Sequence, residues 1–341
     1  MNHIQHTKYL ILGTLLLFIL AFFSLFWGQY PIEMSTFLEY MNYKIFNTTT
    51  LDISTIQLLE SLILEIRLPR ILLSLLVGAA LATSGAVFQA MFVNPLVSPG
   101  ILGVLAGASF GAALGMLVSE QWFVIQSLAF VFGFIAVGLA ILIGSIASNS
   151  RLSIMLVLGG VISASLFTSL LSIVKYTADP YSTLPAIVYW LMGSLSMAEL
   201  HEVLIVAIPI LLSIFSMIFM SKYFDLLSLG DEEAKALGLN VSRIRMIAII
   251  LATLASSLTV VMAGVIGWVG LIIPHIIRMA FGPSHRLLIP LSALLGAAFL
   301  LLADAISRLA MNVEIPIGIL TSLIGIPIFI LVLKNARAAW N

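Results

Sequence analysis

The sequence predicts an all-α polytopic membrane protein, one bundle of about ten transmembrane helices, and three observations carry that prediction. Of the 341 residues, 61% are hydrophobic and only 9% charged, whereas about a quarter of a water-soluble globule is charged. The mean hydropathy is +1.18. The apolar runs are continuous, not alternating, and in hydrocarbon every backbone polar group needs an internal partner, so the runs are helices and a β-barrel is excluded.

A hydrocarbon core roughly 30 Å thick takes about 20 apolar residues per helix. In chain order that rule marks residues 9–27, 68–90, 101–118, 123–146, 152–174, 203–220, 247–265, 269–281, 287–305 and 315–333. The first run follows Lys8 and lacks a small-residue cleavage site after it, so it reads as a retained span. The shortest, 269–281, is interrupted by Pro274 and His275. Charge argues that it crosses. With a cytoplasmic N-terminus, Lys8, Arg151, Lys222, Lys235, Arg243, Arg245, Arg278, Arg286, Lys334 and Arg337 lie inside, ten of the fifteen bases. Lys44, Arg67, Arg70, Lys175 and Arg308 lie outside, and this excess places both termini in the cytoplasm. Removing the 269–281 crossing abolishes the asymmetry. The chain is thus expected to be one transmembrane domain, 1–341, with an extracytoplasmic segment at 29–66 and a cytoplasmic one at 221–245, in a cell inner membrane.

Small residues say how the spans pack. Gly103, Gly107, Gly111 and Gly115 recur every four residues in one run, and Gly78, Ala82, Ala86 and Ala90 do so in the run before it. Such stripes let helix backbones approach closely, which replaces the hydrophobic force that lipid removes. Asn94-Pro95-Leu96-Val97-Ser98-Pro99-Gly100 joins the two runs as an irregular turn.

Composition narrows the chemistry. A net charge of zero with scattered bases gives no footprint for nucleic acid. The absence of cysteine removes disulfides, thiolate ligands and thiol nucleophiles. There is no phosphate loop, no zinc-binding H-E-x-x-H and no nucleophile elbow. Nor is there a chain of mid-membrane carboxylates, which a self-contained secondary transporter needs. An intramembrane enzyme would have only His275, Arg278, His285 and Arg286 to work with, and no carboxylate lies near them in sequence.

Four places carry candidate functional residues. Arg67-Leu68-Pro69-Arg70 opens a span from outside, with Pro69 suited to a first helical turn. Both arginines are then cations at a helix N-terminus, free to receive carboxylates from a docking protein or to pair internally with Glu60 or Glu65. Asp304 and Arg308 are an i,i+4 pair at the outer end of another span, and Arg308 shares that face with Arg67 and Arg70. Leu229, Gly230, Asp231, Glu232, Glu233, Ala234, Lys235, Ala236, Leu237 and Gly238 read as a short amphipathic helix between two glycines. Its acids suit the N-terminal turn, and Lys235 stands four residues after Asp231. A polar helix between two long spans is a natural lever for a soluble partner. Last, His275 lies inside a span with no second imidazole nearby, which points to hydrogen bonding at a helix end and to no metal.

These residues together resemble the FecCD family, the permeases of ATP-binding-cassette importers for iron-siderophores, haem and vitamin B12. The likeness rests on Arg67 to Arg70 with Leu76 to Ala82, Ser84-Gly85, Gln89 and Asn94-Pro95-Leu96. It continues through Leu229-Gly230, Ala234, Leu237-Gly238, Gly264 to Arg278, Ala303-Asp304 with Arg308, and Pro316-Ile317-Gly318. It covers the chain from about residue 60 onward. The resemblance implies a vitamin B12 importer-like bundle in a homodimer, without a cofactor. An extracytoplasmic substrate-binding protein would feed it and two cytoplasmic ATPase subunits would drive it. It further implies that Arg67, Arg70 and Arg308 receive acidic residues of the binding protein, that residues 229–238 couple to the ATPase, and that Ser153 and Ile154 stand at a cytoplasmic gate.

Overall fold

The computed structural model describes the backbone of residues 3–48, 51–146 and 152–339, and the side chains of residues 6–48, 51–146 and 154–331. Among them are helices and no strand. α1 (His3–Ser24) leads into two short helices, α2 (Met34–Phe46) and α3 (Ile53–Glu60). The long α4 (Leu68–Phe92) follows, then α5 (Val104–Val118), α6 (Trp122–Ile146) and α7 (Leu152–Thr177). A half-length α8 (Thr183–Leu191) precedes α9 (Leu200–Phe219), and two short helices, α10 (Ser221–Leu227) and α11 (Asp231–Ala236), lead to α12 (Val241–Ala263). α13 (Val269–Phe281), α14 (His285–Leu309) and α15 (Ile317–Ala339) complete the chain.

Seven helical stretches are long and apolar enough to cross a membrane: α1, the run from Ile53 to Phe92, α6, α7, α9, α12 and α14. α5, α13 and the apolar part of α15 are shorter. Each of the ten predicted runs falls on one of these helices, and the weakest, 269–281, coincides with α13.

α4 is the central column. It packs against α9, α12, α13 and α14, and its residues from Ala80 to Phe92 are all buried. Glycine sets these distances. A Cβ on Gly78 would stand 2.2 Å from the Gly296 carbonyl oxygen of α14, and one on Gly85 would stand 1.8 Å from that of Gly270 in α13. α5, α6 and α7 form a second layer, in which Gly107 and Gly111 lie on the carbonyls of Phe132 and Leu128. The predicted stripe is shorter by one residue: Gly103 is no part of α5 but the bend before it, with φ +85, and it faces Ser163 and Ala164 of α7.

A larger correction concerns Arg67 and Arg70. They do not open a helix, because the chain is helical without a break from Ile53 to Phe92. Residues Ser61–Arg67 form a π-helical turn, in which the amide of Leu68 donates to the Ile63 carbonyl, and Pro69 follows at once. Proline has no amide to donate, and its ring collides with the carbonyl four residues back in a regular α-helix. The widened turn absorbs both defects in place of a kink.

Segment 29–66, read from the sequence only as a stretch outside the spans, holds α2 and α3. Phe37 and Tyr40 of α2 meet Ile56 and Leu59 of α3 and Ile63 in a small apolar cluster. Lys44 and Glu60 bridge the two helices at 2.7 Å.

Candidate functional site

The three arginines meet at the end of the bundle where α1 and α14 finish, the end predicted to face outward. All are buried: 4% of Arg67, 7% of Arg70 and 7% of Arg308 is exposed. None pairs with Glu60 or Glu65; Glu60 belongs to Lys44, and Glu65 accepts from the Ser61 hydroxyl. Arg67 donates to the carbonyls of Leu25 and Tyr30, and Arg308 donates at 2.7 Å to that of Trp27. These carbonyls belong to the turn that follows α1, whose backbone oxygens have no helical partner and need donors. Arg67, read from the sequence as a cation at the start of one helix, therefore serves the chain at the end of another, together with Arg308.

Arg70 carries the ion-pair network. Its Nε lies 2.8 Å from Asp304 Oδ1, and its two terminal nitrogens fork onto Glu314 at 2.8 and 3.0 Å. The expected Asp304–Arg308 pair is present, with Nε and Oδ2 3.1 Å apart, although that N–H is not aimed along a hydrogen bond. One buried carboxylate is thus shared by two arginines from α4 and α14, and Glu314 closes the rim.

At the opposite end lie residues 229–238. Gly230, at φ +118, adopts a backbone conformation that L side chains rarely enter, and it turns the chain into α11. Ala234 is fully buried beneath the helix, while Leu229 and Leu237 are 58% and 62% exposed on either side. Lys235 pairs with Glu232 at 2.9 Å and not with Asp231 as its spacing predicted. Asp231 instead forks onto Arg245 of α12 at 2.8 and 3.1 Å. Arg245, itself 4% exposed, also donates at 3.4 Å to the carbonyl of Met91 near the end of α4. The short helix is clamped to the central column, a role for Arg245 that sequence spacing did not reveal.

A second tie joins this segment to α14. Asp225 of α10 accepts the His285 amide at 2.6 Å and faces the ring Nδ1 at 3.0 Å, with Arg286 Nε at 3.6 Å. The fold brings a carboxylate to His285 from 60 residues away, where it caps the first turn of α14. Burial pushes the Asp225 carboxyl up, but the hydrogen bonds and charges of His285 and Arg286 outweigh it and hold the group below its ordinary range. A depressed native pKa gives stability that is fully present above the unfolded value, about 3.9, and lost as pH falls through the native one. Thermal unfolding followed downward from pH 5 should therefore show a steeper loss of Tm in the native chain than in Asp225→Asn. Parallel profiles would show that the carboxylate contributes nothing.

Toward the middle, α7 turns a face with helical spacing outward from the chain: Ile154, Leu158 and Val161 in its first half, then Ser165, Thr168 and Ser172. A cavity of about 470 Å³ lies against Ser165, Thr168 and Ser169, with Gly100 and Ile101 opposite. Hydroxyls at 165, 168, 169 and 172 were a readable signal in an otherwise apolar run. Ile154 stands exposed in the first turn of α7, and the Ser153 side chain lies outside the described residues. Among the described residues His275 makes no helix-end hydrogen bond and both ring nitrogens lack a partner; the ring packs edge-on against Phe329 with centroids 6.0 Å apart. Arg278, one turn on, reaches Gln89 Oε1 at 3.0 Å.

Comparison with known proteins agrees with this architecture. The model of the FecCD transport family matches residues 16–335, which extends the likeness into the first span and the segment after it. The molybdate import system permease protein of Haemophilus influenzae is 40% identical over 338 residues, 99% of this chain and 98% of that protein. The vitamin B12 import system permease protein of Salmonella typhi is 39% identical over 290 residues, 82% of this chain and 85% of that one. A solved inward-facing structure of the metal-chelate ABC transporter type superposes with a TM-score of 0.86 at 37% identity, covering 96% of this chain and 99% of that chain.

Proposed function

The chain belongs to the FecCD transport family, and from that premise we propose that it is the membrane permease of an ATP-driven importer, worked by a separate ATPase through residues 229–238. The observation that carries this reading is the clamped helix α11. It presents Glu232 and Glu233, flanked by the exposed Leu229 and Leu237, while Asp231 and Arg245 fix it to α4 and α12. A push on such a helix is passed to the bundle and not absorbed by a loose loop.

In this proposal the chain crosses the membrane ten times with both termini in the cytoplasm, and a second copy completes a pathway walled by the hydroxyl face of α7. That face carries donors and acceptors but no carboxylate. It suits an oxygen-rich metal anion or chelate, whereas a bare divalent cation needs hard anionic ligands. The relative that matches end to end imports molybdate, so a metal oxyanion joins siderophore, haem and cobalamin as cargo, delivered by an extracytoplasmic binding protein. The gate formed around Ser153 and Ile154 closes this pathway on the cytoplasmic side.

The outer arginines take a part different from a bare basic patch. Their guanidinium groups are occupied within the chain, so a carboxylate of the docking protein would exchange with Glu314, whose side chain is 38% exposed, at the fork of Arg70.

Leu229→Asp/Leu237→Asp is the test. Both side chains are exposed, so the variant is expected to keep its thermal stability within about 0.5 kcal/mol. Because central apolar anchors dominate interfaces, it should lose at least about tenfold of ATPase retained on co-purification. Unchanged retention would remove residues 229–238 from the coupling surface.

A further inference from the structure

We infer that Gln89 is a positioning residue of the transport cycle, tying α13 to the end of α4 that α11 grips. Pro274 creates the need for it. Lying inside α13, Pro274 has no N–H, so the Gly270 carbonyl four residues back loses its helical donor. Gly270 is buried in the bundle, where a neighbouring helix must make good the loss. Gln89 does so. Its Nε2 lies 3.4 Å from the Gly270 oxygen and 3.3 Å from that of Leu271. Its Oε1 accepts from Arg278 at 3.0 Å, so the two ends of one amide hold α13 at points about two turns apart. Gln89 is 2% exposed, and one turn before it Gly85 brings the backbones of α4 and α13 into contact.

A side chain here does what a backbone amide would not. An N–H at residue 274 would close α13 on itself, whereas Gln89 closes it through α4. Two residues after Gln89, the Met91 carbonyl receives Arg245, which pairs with Asp231 of α11. The grip on α11 and the tie to α13 therefore hang from one turn of α4, with a hydrogen bond at each step between helices. α13 in turn packs against α14 and α15. A displacement of α11 thus reaches the turn that holds α13. The role in transport rests on the importer reading above; the bond that replaces the proline amide does not.

Two measurements on the full chain separate this tie from local support of α13. Hydrogen exchange reads the bond. In Gln89→Leu the amides of Leu271 to Ile273 should exchange about tenfold faster, the factor that one lost hydrogen bond gives. Gln89→Leu/Pro274→Ala, which returns an N–H to residue 274, should restore the native rate. Uptake reads the tie. In vesicles with the co-purifying ATPase and the binding protein, molybdate or a ferric chelate taken up per ATP hydrolysed should fall at least about fivefold in Gln89→Leu. It should stay low in the double variant, with ATPase retention native in both and uptake normal in Pro274→Ala alone. Uptake that recovers together with exchange overturns the tie and leaves Gln89 a support for α13. Native exchange in Gln89→Leu overturns the bond. Should that variant fail to fold, Gln89→Glu, which keeps an acceptor for Arg278 and has no N–H for the carbonyls, makes the same exchange comparison. A native chain that takes up neither cargo with ATP sinks the importer reading and leaves the exchange result standing.

Discussion

Asp304→Ala is expected to be the most damaging single substitution of a charged residue, lowering stability by about 3–5 kcal/mol. Its carboxylate is 1% exposed and faces two arginines that are themselves 8% exposed. Without it, Arg70 and Arg308 stand next to each other in a buried site with one carboxylate fewer between them, and both the repulsion and the desolvation go uncompensated. The site also joins α4 to α14, so its loss loosens the two central helices at one end. Glu314→Gln is the control. Glu314 meets the same Arg70 from the rim with 38% of its side chain exposed, and exposed pairs contribute about 0–1 kcal/mol. Thermal unfolding of the purified chain separates the two. Comparable losses would mean that the network is held at its rim and not at its buried carboxylate.

Gly85→Val is expected to prevent the bundle from assembling. The added Cβ would lie 1.8 Å from the Gly270 carbonyl oxygen and 2.5 Å from its carbon. Those atoms are backbone and cannot rotate aside. The helices must separate, and overpacking costs about 1–3 kcal/mol even where side chains can adjust. Here α13 would be displaced along with the bonds from Gln89 Nε2 to the carbonyls of Gly270 and Leu271, at 3.4 and 3.3 Å. Gly138 serves as the comparison, since a Cβ there meets nothing within 4 Å; Gly138→Val should accumulate normally in membranes. Equal accumulation of both variants would show that α4 and α13 are free to slide apart.

Sequence periodicity marked the apolar helices because hydrophobic length is a one-dimensional property. α13 was found despite its thirteen residues, since charge asymmetry supplied what hydropathy lacked. The helix at α11 was legible from its bounding glycines and its acidic first turn. Contacts between distant residues were not. Asp304 and Arg308 are one turn apart and pair as expected, but Arg70 reaches Asp304 across 234 positions. Asp225 reaches His285 across 60, and Asp231 prefers Arg245 to its helical neighbour Lys235. The π-helical turn escaped for a related reason: proline is favoured in the first turn of a helix, so Pro69 read as a start, and only the folded chain shows helix on both sides of it. α8 escaped because nine residues fall short of a span and its sequence carries no charge to signal a turn.

Uptake into liposomes tests the central claim most directly. Vesicles would contain the chain, with and without the ATPase that co-purifies with it, loaded inside or outside with ATP, and molybdate and a ferric chelate would be offered in parallel with the cognate binding protein. Accumulation of one cargo only when ATPase and ATP are on the same face as residues 229–238, and its loss in Leu229→Asp/Leu237→Asp, is the expected result. Accumulation by the chain alone, driven by an ion gradient and indifferent to ATP, would contradict the account and make the protein a self-contained carrier.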